Sequence, residues 1–369
     1  MIPYFLLLFI PLLCYLGLKF TNVAIAVGNY KIRNNNIILP IFFGIFLLLL
    51  ILRDDTVGRD LSNYKIIFYS IGKGNIFQTY YDIREPVFQL INWFIYNYIT
   101  QSYQVFLGII AVITVLPIAF VYNKDKSHGY VKVVLFINMS TFIMLFSGIR
   151  QGLAMAFGML AYDSLTQKKN IKFLAFAILA TFTHHTGFMT FFLFPLYRMR
   201  FRKKDLFWII PIEVFGIVAN RQIFNLLASF MAKTDEKYSA VAGSTGAMGS
   251  FLLFVLFNVF CYLISDEEQM NDEDFALRNI LMFATFLQSF ASLNPLAMRM
   301  NYYFILLIPL AVGKSLECVK DEDIQIAKLG EIIISVFFTV MFVLSTYNSY
   351  MTGISALDTV PYIPFWKGI

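Results

Sequence analysis

The sequence predicts an all-α polytopic membrane protein with about twelve membrane-spanning helices. Hydrophobic residues make up 59% of the 369 residues, and charged residues only 14%. The mean hydropathy is +0.68, whereas soluble domains carry about 25% charged residues. The sequence contains no long hydrophilic block that could fold separately in water. We therefore expect residues 1–369 to form a single integral membrane domain.

Charge and cysteine content exclude several other classes. The net charge of +6 does not indicate nucleic-acid binding, because Lys and Arg occur in short clusters between apolar segments. Cys14, Cys261 and Cys318 lie in or beside apolar segments without CxxC spacing, which argues against a disulfide framework or a zinc site. No basic residue precedes Lys19, and no small-residue cleavage site follows the first apolar segment. Residues 2–18 therefore predict a first membrane helix rather than a signal peptide.

A spanning helix needs about 20 apolar residues, with a range of about 17 to 25. Twelve segments approach this length: 2–18, 37–52, 103–121, 133–147, 151–166, 171–184, 186–198, 206–219, 247–264, 279–293, 302–316 and 331–347. Residues 171–198 are also compatible with one tilted helix, which would reverse the topology of everything that follows.

Two connections are expected to face the substrate. The first is an outer loop over residues 53–102, in which residues 86–100 are apolar and predict a re-entrant or interfacial helix. Trp93 and its neighbouring tyrosines suit the level of the lipid headgroups. The second is the Gly- and Ser-rich outer loop 220–246, which is either a substrate lid, an acceptor-binding loop or a plain connector.

The distribution of basic residues orients the chain. Alternating the spans places 18 of the 29 Lys and Arg residues on one side, mostly in lysine-rich clusters. Such clusters stay in the cytoplasm, so both termini are expected outside. The outer side instead carries isolated arginines at the ends of apolar segments, namely Arg53, Arg150 and Arg299. A guanidinium stays charged and matches phosphate oxygens with a planar fork of donors, so the outer face is the predicted site of chemistry.

The stretch from Arg53 to Glu85 concentrates polar groups directly after an apolar segment. Its charged and aromatic residues include Arg53, Asp54, Asp55, Arg59, Asp60, Tyr64, Arg84 and Glu85. One reading is a polar site at the membrane surface. The other is a set of solvated ion pairs that only shape the loop.

Arg150 and Arg299 are the remaining isolated arginines. Arg150 precedes Gln151 in a turn between apolar segments whose glycines have the small-xxx-small spacing of closely packed helices. Arg299 follows Pro295 and precedes Tyr303 and a further apolar segment. Each arginine is either an anchor at the membrane interface or a ligand contact.

His184 and His185 lie inside the apolar run from Ile171 to Tyr197. An ionisable group at such a position is a functional hypothesis by default. His184 is either a hydrogen-bonded structural histidine or a general base, since imidazole titrates near neutral pH. Adjacent histidines on a helix diverge by about 100°, which argues against a metal site.

Several short motifs occur along the chain in an order that resembles a known family. The motifs are Val57-Gly58-Arg59-Asp60 with Arg53 and Tyr64, Glu85-Pro86, Ile149-Arg150-Gln151, His184-x-Thr186-Gly187, Arg299 with Tyr302-Tyr303-Phe304, and Pro361-Tyr362-Ile363-Pro364. From about residue 50 onward the chain resembles the EpsG-like branch of Wzy-type polysaccharide polymerases. It departs from the family pattern at Arg59, where a small residue is more common, and at Gly187, where a slightly larger one is usual.

The resemblance implies a GT-C-like glycosyltransferase in the bacterial cytoplasmic (inner) membrane with an outward-facing site. It would polymerise undecaprenyl-diphosphate-linked oligosaccharides, as donor and acceptor, into O-antigen, capsule or exopolysaccharide. The expected substrate-binding residues are Arg53, Arg59, Arg84, Arg150, Gln151, Arg299, Tyr64 and Tyr303. His184 is the first candidate for the general base, with Asp60 or Glu85 second. We expect no cofactor and no required divalent cation; a chain-length regulator and a flippase are candidate partners.

Three rival functions stay open. A flippase for the same lipid would also need arginines, but along the whole transit path at mid-membrane. An O-antigen ligase would share the donor, the leaving group and the leaflet. A chain-modifying acyltransferase would carry a different arrangement of His and Asp within the membrane.

Overall fold

The computed structural model describes residues 1–21, 25–27, 30–32, 37–74, 85–223, 246–291, 293 and 295–367. The chain divides into two compact units. The first comprises Met1–Phe191 with Lys328–Ile369, and the second comprises Phe192–Ala327.

The described residues form sixteen α-helices. These are α1 Ile2–Thr21, α2 Ile38–Leu52, α3 Leu61–Lys73, α4 Pro86–Phe94, α5 Tyr103–Lys124, α6 Gly129–Asn138, α7 Ser140–Ser147, α8 Ile149–Thr166, α9 Asn170–Thr183, α10 Leu193–Arg198, α11 Leu206–Val218, α12 Gly246–Ile264, α13 Asp272–Ala291, α14 Pro295–Ile305, α15 Ile308–Glu317 and α16 Ile324–Thr352. One small antiparallel hairpin, β1 Ile25–Val27 with β2 Tyr30–Ile32, departs from the all-α expectation.

Several helices have the length and composition of membrane spans. Tyr103–Lys124 and Asp321–Thr352 are long and apolar enough, and the pair α6 and α7, bent by 62°, would add a third span. Shorter apolar helices cover Ile2–Gly17, Ile38–Leu52, Asn170–Thr183 and Met248–Ile264. The architecture is that of a helical membrane protein, while twelve crossings and a GT-C arrangement stay predictions.

Exposed apolar side chains on the long helices support this conclusion. Leu116 and Phe120 on α5 and Val336 on α16 are each more than half exposed. A soluble protein rarely leaves such apolar surfaces contiguous and uncovered. A bilayer solvates them at no cost, because lipid tails are as apolar as the side chains.

Helices of the first unit alternate in direction, so their polar ends gather at two places. Gln104 near the start of α5 donates a hydrogen bond to the carbonyl of Ile51 near the end of α2, at 2.7 Å. At the opposite end of α5, Lys124 forms an ion pair with Asp163 of α8. We call the end where α2 ends and α5 begins the Arg53 end.

The chain reverses at His184. Helix α9 ends at Thr183, and His184 has extended backbone angles (φ −150°, ψ 133°). A 3₁₀ helix, His185–Phe192, follows. It runs back along α9, as shown by the rings of Phe173 and Phe191, whose centres lie 6.5 Å apart. The alternative of one tilted helix over 171–198 is therefore wrong.

The first outer loop contains more helix than the sequence indicated. Helix α3 was not expected, and it buries Leu61 and Phe68. The Phe68 ring stacks on Phe106 of α5 at 4.4 Å. The expected helix over 86–100 is present as α4, extended by a π-helical turn over Ile95–Ile99. Its re-entrant or interfacial placement stays a prediction. Of the expected outer loop 220–246, residues 224–245 lie outside the described part of the chain.

The segment near the C-terminus packs against the first loop. The backbone N–H of Gly58 donates to the carbonyl of Asp358 at 3.1 Å, and that of Arg59 donates to the carbonyl of Leu357 at 2.9 Å. Asp54 donates in the same way to Ile363 at 2.8 Å. These backbone hydrogen bonds fix the loop that leads into α3.

Gly58 provides a test of this arrangement. Its φ is +126°, and an added Cβ would lie 2.3 Å from the carbonyl oxygen of Phe146. We expect Gly58→Ala to reduce the free energy of unfolding by about 1–3 kcal/mol through backbone strain, with the steric clash adding to it. The measurement is the thermal unfolding midpoint in detergent.

Gly44→Ala is the matched control, because a Cβ at Gly44 of α2 meets no atom within 4 Å. Alanine is favoured over glycine inside a helix by about 0.5–1 kcal/mol, so this variant is expected to be as stable as wild type or more so. Equal unfolding midpoints for the two variants would contradict the close contact between Gly58 and the carbonyl of Phe146.

Candidate functional site

A buried carboxylate gathers donors from two other segments of the first unit. Glu85 directly precedes α4, and its Oε2 forms an ion pair with Nη1 of Arg150. Its Oε1 lies 2.5 Å from Nδ1 of His184 and 3.2 Å from Nδ1 of His185. The backbone N–H of His185 also donates to Oε1, at 3.3 Å. We call these four residues the Glu85 cluster.

The local fold explains why these residues meet. Pro86 occupies the first helical position of α4, where its missing N–H costs nothing, so the chain enters the helix directly after Glu85. Arg150 lies in the first turn of α8. His184 ends α9 at the reversal of the chain. All three positions are ends of helices, where side chains can converge.

The cluster keeps Glu85 ionised. Burial raises the pKa of its carboxyl, but hydrogen bonds from His184 and His185 and the charge of Arg150 outweigh burial, so the pKa lies well below its ordinary value. Burying a lone carboxylate costs several kcal/mol. The four hydrogen bonds are what make this charge tolerable.

The ionised carboxylate fixes the tautomer of both rings. A carboxylate only accepts hydrogen bonds, so each neutral imidazole donates from Nδ1 and keeps its lone pair on Nε2. The two rings differ in access. The His184 side chain is 7% exposed, whereas that of His185 is 35% exposed.

Arg150 is held in place but keeps a free edge. Its Nε donates to the hydroxyl of Tyr64 at 3.4 Å. The guanidinium lies 5.5 Å from the centre of the Tyr64 ring and 5.9 Å from that of Phe88, within the range of cation–π attraction. Among the residues that the structure describes, Nη2 has no hydrogen-bond partner. The side chain is 30% exposed, so this edge can accept an anionic ligand.

Asp60 and Ser147 join α3 to the turn before α8. The backbone N–H of Asp60 donates to Oγ of Ser147 at 3.1 Å, and the Ser147 hydroxyl donates to Oδ2 of Asp60 at 3.0 Å. Gln151, next to Arg150, is buried. The predicted residues Asp60, Tyr64, Arg150 and Gln151 therefore lie in one region around the start of α8.

Arg53 and Arg59 contact other groups. Arg53 is 3% exposed, donates to the carbonyl of Phe146 at 2.5 Å and lies 5.7 Å from the centre of the Phe146 ring. Arg59 is exposed and forms an ion pair with Asp358 at 3.1 Å. Both arginines thus brace the first loop, and a role in substrate binding stays a prediction for each.

Three further predicted residues fall outside the described part of the first unit. Arg84 is outside the described part of the chain. Arg299 and Tyr303 are on α14 in the second unit, where Arg299 is exposed and Tyr303 is buried. The expected meeting of Arg299 with Arg150 stays a prediction.

The premise that adjacent histidines diverge was wrong. That premise assumed a continuous helix, whereas α9 ends before His184 and both rings reach the same carboxylate. The ligand-type atoms of Glu85, His184 and His185 lie within 4.8 Å of one another, a spacing that a metal site also needs. However, ligands about 2.1 Å from a tetrahedral ion lie about 3.3 Å apart. The 2.5 Å contact and the ion pair with Arg150 favour a shared proton.

Sequence reasoning missed His185 and Ser147 as members of this region. Their signals were present: His185 directly follows the chosen histidine, and Ser147 is a hydroxyl residue in an apolar segment just before Gly148. Neither signal was decisive without the position of the chain reversal.

The fold and this cluster define a class: a helical membrane protein with an ionised, arginine-containing site at one end of its first unit. Comparison of the sequence is more specific. A family model described as the EpsG family matches residues 36–363, and the chain belongs to this family. A curated relative, the "Amylovoran biosynthesis protein AmsC" of Erwinia amylovora, is 27% identical over 244 residues, which cover 63% of this chain. The match spans 62% of that relative's length. No solved structure matches the chain.

Glu85→Gln tests the electrostatics of the cluster. The unfolded pKa of a glutamate is about 4.3, and the folded pKa of Glu85 is lower. The carboxylate therefore stabilises the fold above pH 4.3, and this contribution is lost as the pH falls towards the folded pKa. We expect the variant to lose about 3–5 kcal/mol at pH 7, because Arg150 is left without its partner. The difference in unfolding free energy between the variant and the wild type should narrow below about pH 4.3. Thermal unfolding midpoints measured from pH 7 to pH 3 check both expectations.

Asp55→Asn is the matched control, because Asp55 forms a more exposed ion pair with Lys65 at 2.6 Å. Such pairs contribute about 0–1 kcal/mol. A Glu85→Gln variant as stable as wild type at pH 7, or a gap that widens in acid, would contradict an ionised Glu85.

Proposed function

We propose that this chain is a membrane glycosyltransferase that polymerises lipid-linked oligosaccharide repeat units into an extracellular or cell-surface polysaccharide. The donor and the acceptor would both be linked to undecaprenyl diphosphate. Membership of the EpsG family and the similarity to a protein named for amylovoran biosynthesis support a role in polysaccharide polymerisation.

One observation carries the proposal: Arg150 is held beside ionised Glu85, while one edge of its guanidinium has no partner among the described residues. The planar fork of arginine matches phosphate oxygens better than the point charge of lysine. In a site shielded from water, such a donor stabilises the negative charge that develops on a departing diphosphate. Arg150 would therefore bind the diphosphate of the donor.

The reaction requires one proton transfer and one substitution. The acceptor hydroxyl loses its proton to a base, and its oxygen forms a bond to the anomeric carbon of the growing chain. The bond between that carbon and the diphosphate oxygen breaks, and the lipid diphosphate leaves with the electron pair. The Glu85 cluster supplies the base, because it holds two imidazoles whose Nδ1 protons are engaged. No step requires a metal ion.

The proposed orientation places the Arg53 end of the first unit outside the cytoplasmic membrane. Lys124 and Lys132 gather at the opposite end, where they pair with Asp163 and Asp125. Basic residues favour the cytoplasmic side. The active site would then meet lipid-linked repeat units on the outer leaflet, with a flippase and a chain-length regulator as partners.

Arg150 provides the direct test in cells. We expect Arg150→Ala to reduce long-chain polymer at least about 100-fold, because a donor to the developing charge is lost. Arg150→Lys should restore little, since lysine lacks the fork. The measurement is a polysaccharide ladder from a polymerase-deletion strain that expresses each variant, with membrane levels of the protein determined by immunoblot.

Arg200→Ala is the matched control, because Arg200 is exposed and pairs with Asp272 in the second unit; wild-type ladders are expected. Long-chain product from both Arg150 variants would remove the proposed arginine role. In the deletion strain itself, a single repeat unit on the lipid core indicates a missing polymerase. The absence of any decoration would instead indicate a ligase or a flippase.

Arg299, on α14 in the second unit, is a separate candidate for phosphate binding. Its exposed side chain on α14 is expected to bind a phosphate oxygen, so Arg299→Ala should also reduce the ladder by about 100-fold. The amount of protein in the membrane should not change. A normal ladder would confine diphosphate binding to the first unit and leave the Arg150 proposal intact.

A further inference from the structure

We propose that His185, rather than His184, is the catalytic base, and that Glu85 and His184 position it. The inference rests on the proposed function and specifies which group takes the proton from the acceptor hydroxyl. It follows from the difference in access between two imidazoles that share one carboxylate.

The two histidine rings differ in how accessible they are to a substrate. A general base must come within about 2.6–3.2 Å of the atom whose proton it removes. The His184 ring is almost fully enclosed, with 7% of its side chain exposed, whereas His185 has 35% exposed. A sugar hydroxyl at the tip of a large lipid-linked oligosaccharide can reach only a ring that faces open space. His185 meets this requirement.

Orientation comes from the carboxylate. Oε1 of Glu85 accepts from both Nδ1 of His185, at 3.2 Å, and the backbone N–H of the same residue, at 3.3 Å. The two contacts fix the ring and its backbone together, and the Nδ1 proton leaves the Nε2 lone pair for the substrate. A histidine oriented by a carboxylate in this way follows the logic of catalytic triads.

His184 also holds the His185 ring in its orientation. Its Nδ1 donates to the same oxygen at 2.5 Å, and the two imidazole rings lie edge to face with their centres 4.3 Å apart. The buried ring therefore limits the rotation of His185. The rotamer of the base is then set by packing as well as by hydrogen bonding.

The charges around His185 suit a proton acceptor. Among the described residues, the titratable and charged groups that face it are Glu85 and His184, with Arg150 and Tyr64 behind the carboxylate. When the acceptor proton moves to Nε2, the resulting imidazolium is paired with ionised Glu85. The proton passes to solvent after the sugar bond has formed, which returns the neutral ring.

The test uses the full-length protein in nanodiscs and lipid-linked repeat units isolated from membranes of the polymerase-deletion strain. Chain extension is measured from pH 5 to pH 9 under saturating substrate. We expect His185→Gln to reduce kcat by about 10²–10⁴-fold, to leave KM unchanged and to remove the acidic limb of the kcat profile. We expect added imidazole to restore part of the rate to His185→Gly.

Two variants serve as comparisons. His184→Gln should keep an acidic limb and lose less than about 10-fold in kcat, because the base is still present. His128→Gln should behave as wild type, because His128 pairs with Glu331 away from the Glu85 cluster. Thermal midpoints of all variants show whether any loss of rate follows from unfolding.

Each other outcome overturns a defined part of the argument. An acidic limb that survives in His185→Gln and disappears in His184→Gln would make His184 the base. Activity lost on dialysis against EDTA and regained with a divalent cation would make the cluster a metal site. Both results presuppose chain extension by the wild type. A wild type that does not extend the chains would overturn the proposed function itself.

Discussion

The first unit depends on one buried charge. Glu85 lies where the start of α4, the first turn of α8 and the end of α9 come together, and its carboxylate is satisfied by a group from each neighbour. In a protein surrounded by lipid, helix packing is driven by van der Waals contact rather than by exclusion of water. Such contact is weakly directional. A charge that must be neutralised specifies one arrangement of three helix ends.

The polar contacts around the Arg53 end extend this arrangement outwards. Asp60 and Ser147 join α3 to the turn before Arg150. The backbone hydrogen bonds to Asp358 and Leu357 hold the preceding loop. Arg53, which the sequence marked as a ligand contact, is buried against Phe146 within this frame. A guanidinium at a membrane edge can therefore organise a site as well as bind a ligand, and sequence does not distinguish the two roles.

Composition was enough for the broad class, a helical membrane protein, because an apolar chain with few charges cannot cover its surface with polar groups in water. The residues Glu85, Arg150 and His184 were also found in advance, since each is an ionisable group in or beside an apolar segment. The convergence of two histidines could not be found. It depends on α9 ending at Thr183, and the nearest glycine, Gly187, lies four residues further along the chain. Helix α3 was not expected because its exposed face carries polar residues such as Asn63 and Lys65, so its sequence has no continuous apolar run.

The shared carboxylate has a consequence for catalysis under the proposed function. Phosphate oxygens of the donor, bound at the Nη2 edge, would share the positive charge of Arg150 with Glu85. Each contact that Arg150 gives to the diphosphate would leave more of the Glu85 charge uncompensated. That charge would then face the imidazolium that forms when the acceptor proton moves to the ring. Binding of the leaving group would in this way support the proton transfer, so the site would be most reactive when the donor is in place.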